Sequence, residues 1–192
     1  MTPSAEELLA IARRYWREDK LYDFRLDHSP EFDRLEALWN EKLKEIDRWW
    51  ALLGDLRKEL PGYSIGDGTA PVNGCYGALV YPPREKALQR PQICWVVVGY
   101  LSILAPVYTV YCVRREFLGK QFRGAKAFLG PAPLELRDIA EVVAQRIEAN
   151  YGATALPLEI AQTPVPLYVH FMEPPRTTLF HALFSSEPEN VA

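Results

Sequence analysis

From Pro91 to Val113 the chain carries no charged residue, a run of 23 positions (91 through 113) bounded by Arg90 and by Arg114-Arg115. Such a run can be buried only in lipid or in protein. Its length reaches the roughly 20 apolar residues that a membrane-spanning helix needs. However, Gln92, Gly99, Ser102 and Ala105-Pro106 interrupt it, and Val, Ile, Tyr and Trp dominate its composition. Branched and aromatic residues of this kind pack well on a pleated sheet. The run therefore predicts two strands, about Ile93–Leu101 and Val107–Phe117, joined through a turn near Pro106 and buried on both faces. Along the second, Val107, Thr109, Tyr111 and Val113 alternate with Tyr108, Val110 and Cys112. Both sides carry bulky groups, as expected of a central strand.

What precedes the run is helical in pattern. Ser4 and Glu7 have capping-box spacing, and Leu8, Ile11, Ala12, Tyr15 and Trp16 follow as one apolar stripe. Ser29-Pro30 is a second start, because Ser can accept from an early N–H and Pro loses nothing at the first helical position. Its stripe runs through Leu35, Leu38, Trp39, Leu43, Ile46, Trp50 and Leu53 to about Leu60, with Gly54 as the expected kink or division. The intervening Glu and Lys read as a solvated face. After Pro61-Gly62 the texture changes to Gly, Pro, Val and Tyr, predicting a strand at Cys75–Tyr81. A third helix is expected over Leu134–Ala149, stopped near Asn150-Tyr151-Gly152. Prolines then bracket two further expected strands, Leu167–Met172 and Thr177–Phe184. Helices first and then mostly consecutive strands define an α+β fold: amino-terminal helices followed by a largely antiparallel sheet with one inserted helix. A doubly wound nucleotide fold would need regular alternation. The 192 residues read as a single domain, with a helical segment over 1–61, a sheet-rich body over 62–188, and a fraying tail over 189–192 that loosens from about Glu187.

The formal charge of -3 conceals strong segregation. Lys+Arg against Asp+Glu number 11 and 14 in residues 1–60, 8 and 3 in 61–130, and 3 and 8 in 131–192, giving -3, +5 and -5. Opposed segments of this kind either cancel in the fold or present two faces. The charged first twenty residues lack the apolar stretch of a secretory signal. Cys75, Cys94 and Cys112 fit neither a paired disulfide framework nor a zinc spacing, so a reducing, cytoplasmic setting is expected.

No single motif declares a chemistry. His28, His170 and His181 match no metal signature, although a hairpin of the last two expected strands would bring His170 and His181 together, with Glu173 between them. Cys94 and Cys112 lie in the most apolar stretch, where burial silences a thiol. Gly66-Asp67-Gly68-Thr69 lacks the Gly-Lys-Ser/Thr ending of a phosphate loop and reads as an ordered turn. Arg84, Lys86, Arg90, Arg114, Arg115, Lys120, Arg123 and Lys126 interleave with Tyr81, Tyr111, Phe117 and Phe122, a composition that can hold single-stranded nucleic acid. The same rings are what a half-buried sheet requires, and the chain as a whole is acidic, so nucleic acid is the disfavoured partner. No metal or cofactor is expected.

Three stretches carry a family resemblance: Leu101-Ser102-Ile103-Leu104-Ala105-Pro106-Val107-Tyr108-Thr109-Val110-Tyr111, then Thr163-Pro164-Val165-Pro166, then Thr178-Leu179-Phe180-His181-Ala182-Leu183-Phe184. In texture and strand wording they resemble small immunity proteins of bacterial polymorphic or contact-delivered toxin systems, over roughly Gly62–Pro188. The resemblance implies a non-enzymatic protein that binds a cognate toxin domain and covers its active site or locks it inactive. Immunity proteins act through surfaces, so no catalytic residues carry over. Loops are where such contacts are expected, and Asp67, Asn73, Arg84, Glu85, Glu173 and Arg176 are the candidate partner-binding residues. The alternatives are a small hydrolase-like enzyme using His170 or His181 with a nearby carboxylate, and a structural or adaptor protein. Self-association is also open, because five Trp and ten Tyr can fill a core or a symmetric interface.

Overall fold

The computed structural model describes residues 2–20, 29–83 and 91–191. In chain order the elements are α1 (Ala5–Ala12), α2 (Pro30–Leu43), α3 (Ile46–Glu59), β1 (Ser64–Asp67), β2 (Cys75–Tyr81), β3 (Pro91–Ser102), β4 (Val107–Leu118), β5 (Gln121–Phe128), α4 (Arg137–Tyr151), β6 (Thr154–Ala155), α5 (Leu158–Ala161) and α6 (Leu179–Leu183). The fold is α+β with amino-terminal helices preceding a mostly antiparallel sheet. Strand order is β1-β2-β3-β4-β5, and the short β6 pairs in parallel with β4. The charge-free run forms the long β3–β4 pair, in register from Pro91↔Leu118 to Leu101↔Tyr108. Among the described residues no helix is long and apolar enough to cross a membrane.

Two sets of elements cover the sheet. On one face Ala78, Gly99 and Val110 stand in register, and α4 packs directly over them. A Cβ on Gly99 would lie 2.4 Å from Val143 Cγ1, so only glycine permits this approach. Tyr76, on the same face, stacks on Trp49 at 5.2 Å between ring centroids and meets Trp39 edge-on at 5.7 Å. On the opposite face Tyr100 and Tyr111 pack against Phe184 and Phe180 of the α6 region. α1 lies outside α6, fixed by a 2.7 Å bond from the Trp16 indole to the Ala182 carbonyl.

The first helix begins as its spacing predicts, with both bonds of the Ser4/Glu7 capping box formed. Ser29 caps α2 by accepting from Phe32 N–H. The break in the long second helix falls at Lys44–Glu45 instead of Gly54, which lies inside α3. At this break the Tyr76 hydroxyl donates to the Lys42 carbonyl at 2.8 Å. Two shorter helices then bring Trp39 and Trp49 against the same tyrosine. The third helix opens with a 3-10 turn at Leu134–Leu136 and stops at Gly152, in the left-handed region at φ 62°.

Three expectations are corrected. Thr177–Phe184 is not a strand: residues 179–183 form α6, in which the Thr178 N–H donates to Nδ1 of His181 at 3.0 Å. Leu167–Met172 is not a strand either, but a tight turn closed by two bonds between Val169 and Met172. The pair of histidine-bearing strands therefore does not form. Near the chain end the Pro188 carbonyl accepts from the buried Tyr111 hydroxyl at 2.8 Å and Val191 is 4% exposed, whereas Glu189 and Asn190 are exposed. β1, β5 and β6 were not foreseen.

Candidate functional site

The expected partner-binding residues separate into groups. Asp67 and Asn73 line one cleft of about 550 Å3 on the α6 side of the sheet, together with Tyr81, Tyr100, His170 and Glu187. Asp67 is nevertheless committed to structure: its carboxylate accepts from the indoles of Trp49 at 3.4 Å and Trp50 at 3.2 Å and from Thr69 N–H at 3.0 Å. The Gly66–Thr69 turn is thereby tied to α3. It also presses on β2, where a Cβ on Gly77 would lie 2.8 Å from the Gly68 backbone. The backbone carbonyl of Asn73 accepts from the Trp39 indole at 3.0 Å. Glu173 and Arg176 are exposed on a single turn, joined through their backbones at 3.0 Å, and line no part of the cleft. Arg84, Glu85 and His28 lie outside the described residues.

The cleft gathers groups that the sequence spacing did not connect. His170 arrives from the 169–172 turn and Glu187 from the tail. Burial pushes the His170 pKa down, and the Glu187 carboxylate opposes that shift. At the mouth Phe171 stands 67% exposed with φ at 57°, a left-handed backbone that is unfavourable for an aromatic residue. His181 lies elsewhere, with Nδ1 taken up by the α6 start. Among the described residues no three His, Cys, Asp or Glu side chains gather as a metal site. The Cys75 thiol is raised well above its usual range by burial, and burial pushes Cys112 up to about 11.

A second surface occupies the far end of the sheet, where β4 burial stops at Val113. β4 and β5 continue there as a hairpin turning through Gly119, whose φ is 59°. Residues 114–126 hold Arg114, Arg115, Lys120, Arg123 and Lys126 against Glu116, five minus one, or +4. On the face that carries Arg115, its guanidinium lies 5.2 Å from the Phe117 ring and 5.5 Å from the Phe122 ring, and those rings meet edge-on. On the other face Lys126 lies 5.2 Å from Phe128, which packs on Trp95. Ile93 is 54% exposed, Phe122 51% and Leu118 40%. Tyr111, grouped with these rings in the sequence, is instead fully buried under α6.

Among the described residues the opposed charged segments do not cancel by pairing. Arg114 bonds Glu116 on its own strand at 2.9 Å, and among the described residues no ion pair joins the hairpin to the acidic last third. In that third, Glu148 accepts from the Tyr108 hydroxyl at 2.5 Å, and Arg146 turns away from the hairpin to Glu59 of α3. The sequence showed the basic residues and the rings. The β4–β5 register, which sets them on one projection, was not legible without β5.

Comparison of the chain with protein-family models, with curated proteins and with solved structures finds no match.

Proposed function

We propose that the protein acts by binding: it is a cytoplasmic immunity protein that captures and neutralises a cognate toxin domain, with the 114–126 hairpin as its main contact surface. The observation that carries this reading is the hairpin's excess of cations, +4 over residues 114–126, set beside exposed Ile93, Leu118 and Phe122. Such an excess of positive charge speeds encounter with an acidic surface. Aromatic and Arg side chains that lose water on contact supply most of the affinity. The partner face is therefore acidic, with an apolar centre.

Two features favour a protein partner over nucleic acid. Stacking requires open ring faces, whereas Arg115 already lies against both Phe117 and Phe122. Ile93 and Leu118 add aliphatic surface that suits a protein better than a base. The test is co-expression with the product of each adjacent gene, scored for rescued growth and a co-purifying complex. Rescue with a dissociation constant in the nanomolar range or below is expected. An adjacent toxic product that the protein neither binds nor counteracts would overturn the proposal, as would tighter binding of single-stranded oligonucleotide than of any adjacent product.

A second reading has one observation in its favour. His170, Glu187, Ser185 and Tyr100 line the same cleft, and such groups could serve a small hydrolase. That reading predicts turnover of simple ester substrates that is abolished in His170→Ala. Equal, background rates for the wild type and this variant would remove it.

A further inference from the structure

β5 is an edge strand. It pairs with β4 on one side, and among the described residues no strand pairs with its other side. Open edges offer a row of backbone donors and acceptors to any extended chain and are usually blunted by charge or by a bulge. Both devices are present here. Glu116 pairs with Gly124 and Phe117 with Phe122, so Arg123 is the extra residue of a bulge, while Lys126 projects from the regular stretch beyond it. These devices work against a second copy of the same strand. Two β5 edges set antiparallel and centred on residues 124 and 125 would face Arg123 with the Lys126 of the second copy, twice over. Like charges so placed repel. An acidic strand meets the opposite situation and gains from both cations.

Gly124 supplies a separate observation. Its φ is not in the left-handed region, and an added Cβ would meet nothing within 4 Å. Internal packing does not ask for glycine, which sits here beside the bulge and weakens the strand. Glycine in a strand often marks the close approach of another backbone. Ala125 and Ala127 beside it are small and partly buried against the core.

We propose that the outer edge of β5 accepts an extended acidic segment of the protein partner, which adds beside residues 124–128 as a further antiparallel or parallel strand. Main-chain bonds hold the segment, and Arg123 and Lys126 select its charge. The inference rests on the binding reading above and specifies how that binding is achieved.

The probe is a labelled ten-residue peptide alternating valine with glutamate, compared with the same peptide carrying lysine for glutamate. The readouts are fluorescence anisotropy and amide hydrogen exchange of the intact protein. Expected results are binding of the glutamate peptide at least about tenfold tighter than the lysine peptide, and slowed exchange confined to β5. Gly124→Leu, which finds open space in the free protein, should keep the melting temperature and lose about tenfold in affinity. Lys126→Glu should invert the preference between the peptides. Unchanged β5 exchange in a complex with an adjacent gene product, with Gly124→Leu binding as the wild type does, overturns the edge proposal while the immunity reading stands. Peptide binding at β5 without rescue by any adjacent product supports the edge and sinks the immunity reading. Sedimentation as a dimer that Lys126→Glu converts to monomer overturns the proposal in favour of a second copy. Preference for a single-stranded oligonucleotide over the acidic peptide overturns it in favour of nucleic acid.

Discussion

The two ends of the sheet are made of similar residues put to opposite uses. At the helix-covered end Tyr76, Tyr100 and Tyr111 are enclosed by Trp49, Phe180 and Phe184, and their hydroxyl groups reach carbonyls or other buried partners. At the hairpin end Phe117 and Phe122 meet edge-on with the Arg115 guanidinium laid along both rings, and Phe122 is half exposed. The same β4 strand serves both ends, changing from buried to alternating exposure after Val113. Aromatic content alone therefore says little about function. The distinction is whether a ring's polar surroundings are satisfied inside the molecule or left for a partner.

That contrast breaks if the covered end proves tolerant of substitution. Trp49→Ala removes a fully buried indole that stacks on Tyr76 and bonds Asp67, and should cost about 3–5 kcal/mol. Because Asp67 loses a donor, the Gly66–Thr69 turn should loosen as well, which amide exchange at Thr69 would show. Gly99→Ala comes next. Its new methyl meets the stiff, buried Val143 at the interface between the sheet and α4, and a loss of about 1–3 kcal/mol in chemical denaturation is expected. A loss below about 0.5 kcal/mol for either variant would mean that this end is as adaptable as a surface.

These are also the parts of the fold that the sequence disclosed best. The charge-free run can be buried only in a protein core or in lipid, and its Val, Ile, Tyr and Trp, interrupted by Gly99 and Ala105-Pro106, point to strands and not to a spanning helix. β2 likewise ran as expected from Cys75 to Tyr81. Legibility failed where pattern and context diverged. The 179–184 stretch is apolar on almost every residue, and a short run of that kind reads equally as a strand or an enclosed helix. Its deciding feature is Thr178 with His181 at the third helical position, a role usually filled by Glu or Gln. β5 was missed for the converse reason: Gln121, Arg123, Gly124 and Lys126 supply no apolar alternation, and only pairing with β4 makes the segment a strand. Within the candidate site, Asp67 ends β1 and Asn73 lies in the turn before β2, and the cleft they share with His170 and Glu187 depends on contacts across about 100 positions of chain. Asp67 shows the limit of residue type as a guide, since an exposed carboxylate in a glycine turn serves two tryptophans of α3.

His181 offers a smaller, pH-dependent test of the covered face. Its Nδ1 accepts a backbone N–H, so that nitrogen must be unprotonated in the folded protein, and burial lowers its pKa, with Glu189 opposing. A folded pKa below the unfolded value of 6.5 means that the unfolded chain takes up protons first as pH falls. The associated stability is complete above that value and is lost as pH drops through the lower folded pKa. Melting temperature should therefore decline on acidification from pH 7.5, and His181→Gln, which keeps an acceptor without the titration, should flatten the decline. His170 shifts in the same direction, so the double variant His170→Gln/His181→Gln should flatten it further. An identical pH profile in all three proteins would detach α6 from this account.

The least effect on stability is expected at the hairpin, and there the comparison is sharpest. Phe122 is half exposed and rests mainly on Phe117 and Arg115, so Phe122→Ala should shift unfolding free energy by no more than about 1 kcal/mol. Arg115→Ala should do less, because a partly solvated cation over a ring contributes about 0.5–1 kcal/mol. Affinity for an acidic protein partner should nonetheless fall about tenfold or more for each, since exposed Arg and aromatic groups gain their value only when a partner removes their water. Raising the salt concentration should weaken wild-type association more steeply than that of Arg115→Ala, because a screened cation has less to lose. If instead these variants unfold as readily as Gly99→Ala, the rings of the hairpin belong to the core after all, and the distinction between the two ends of the sheet disappears.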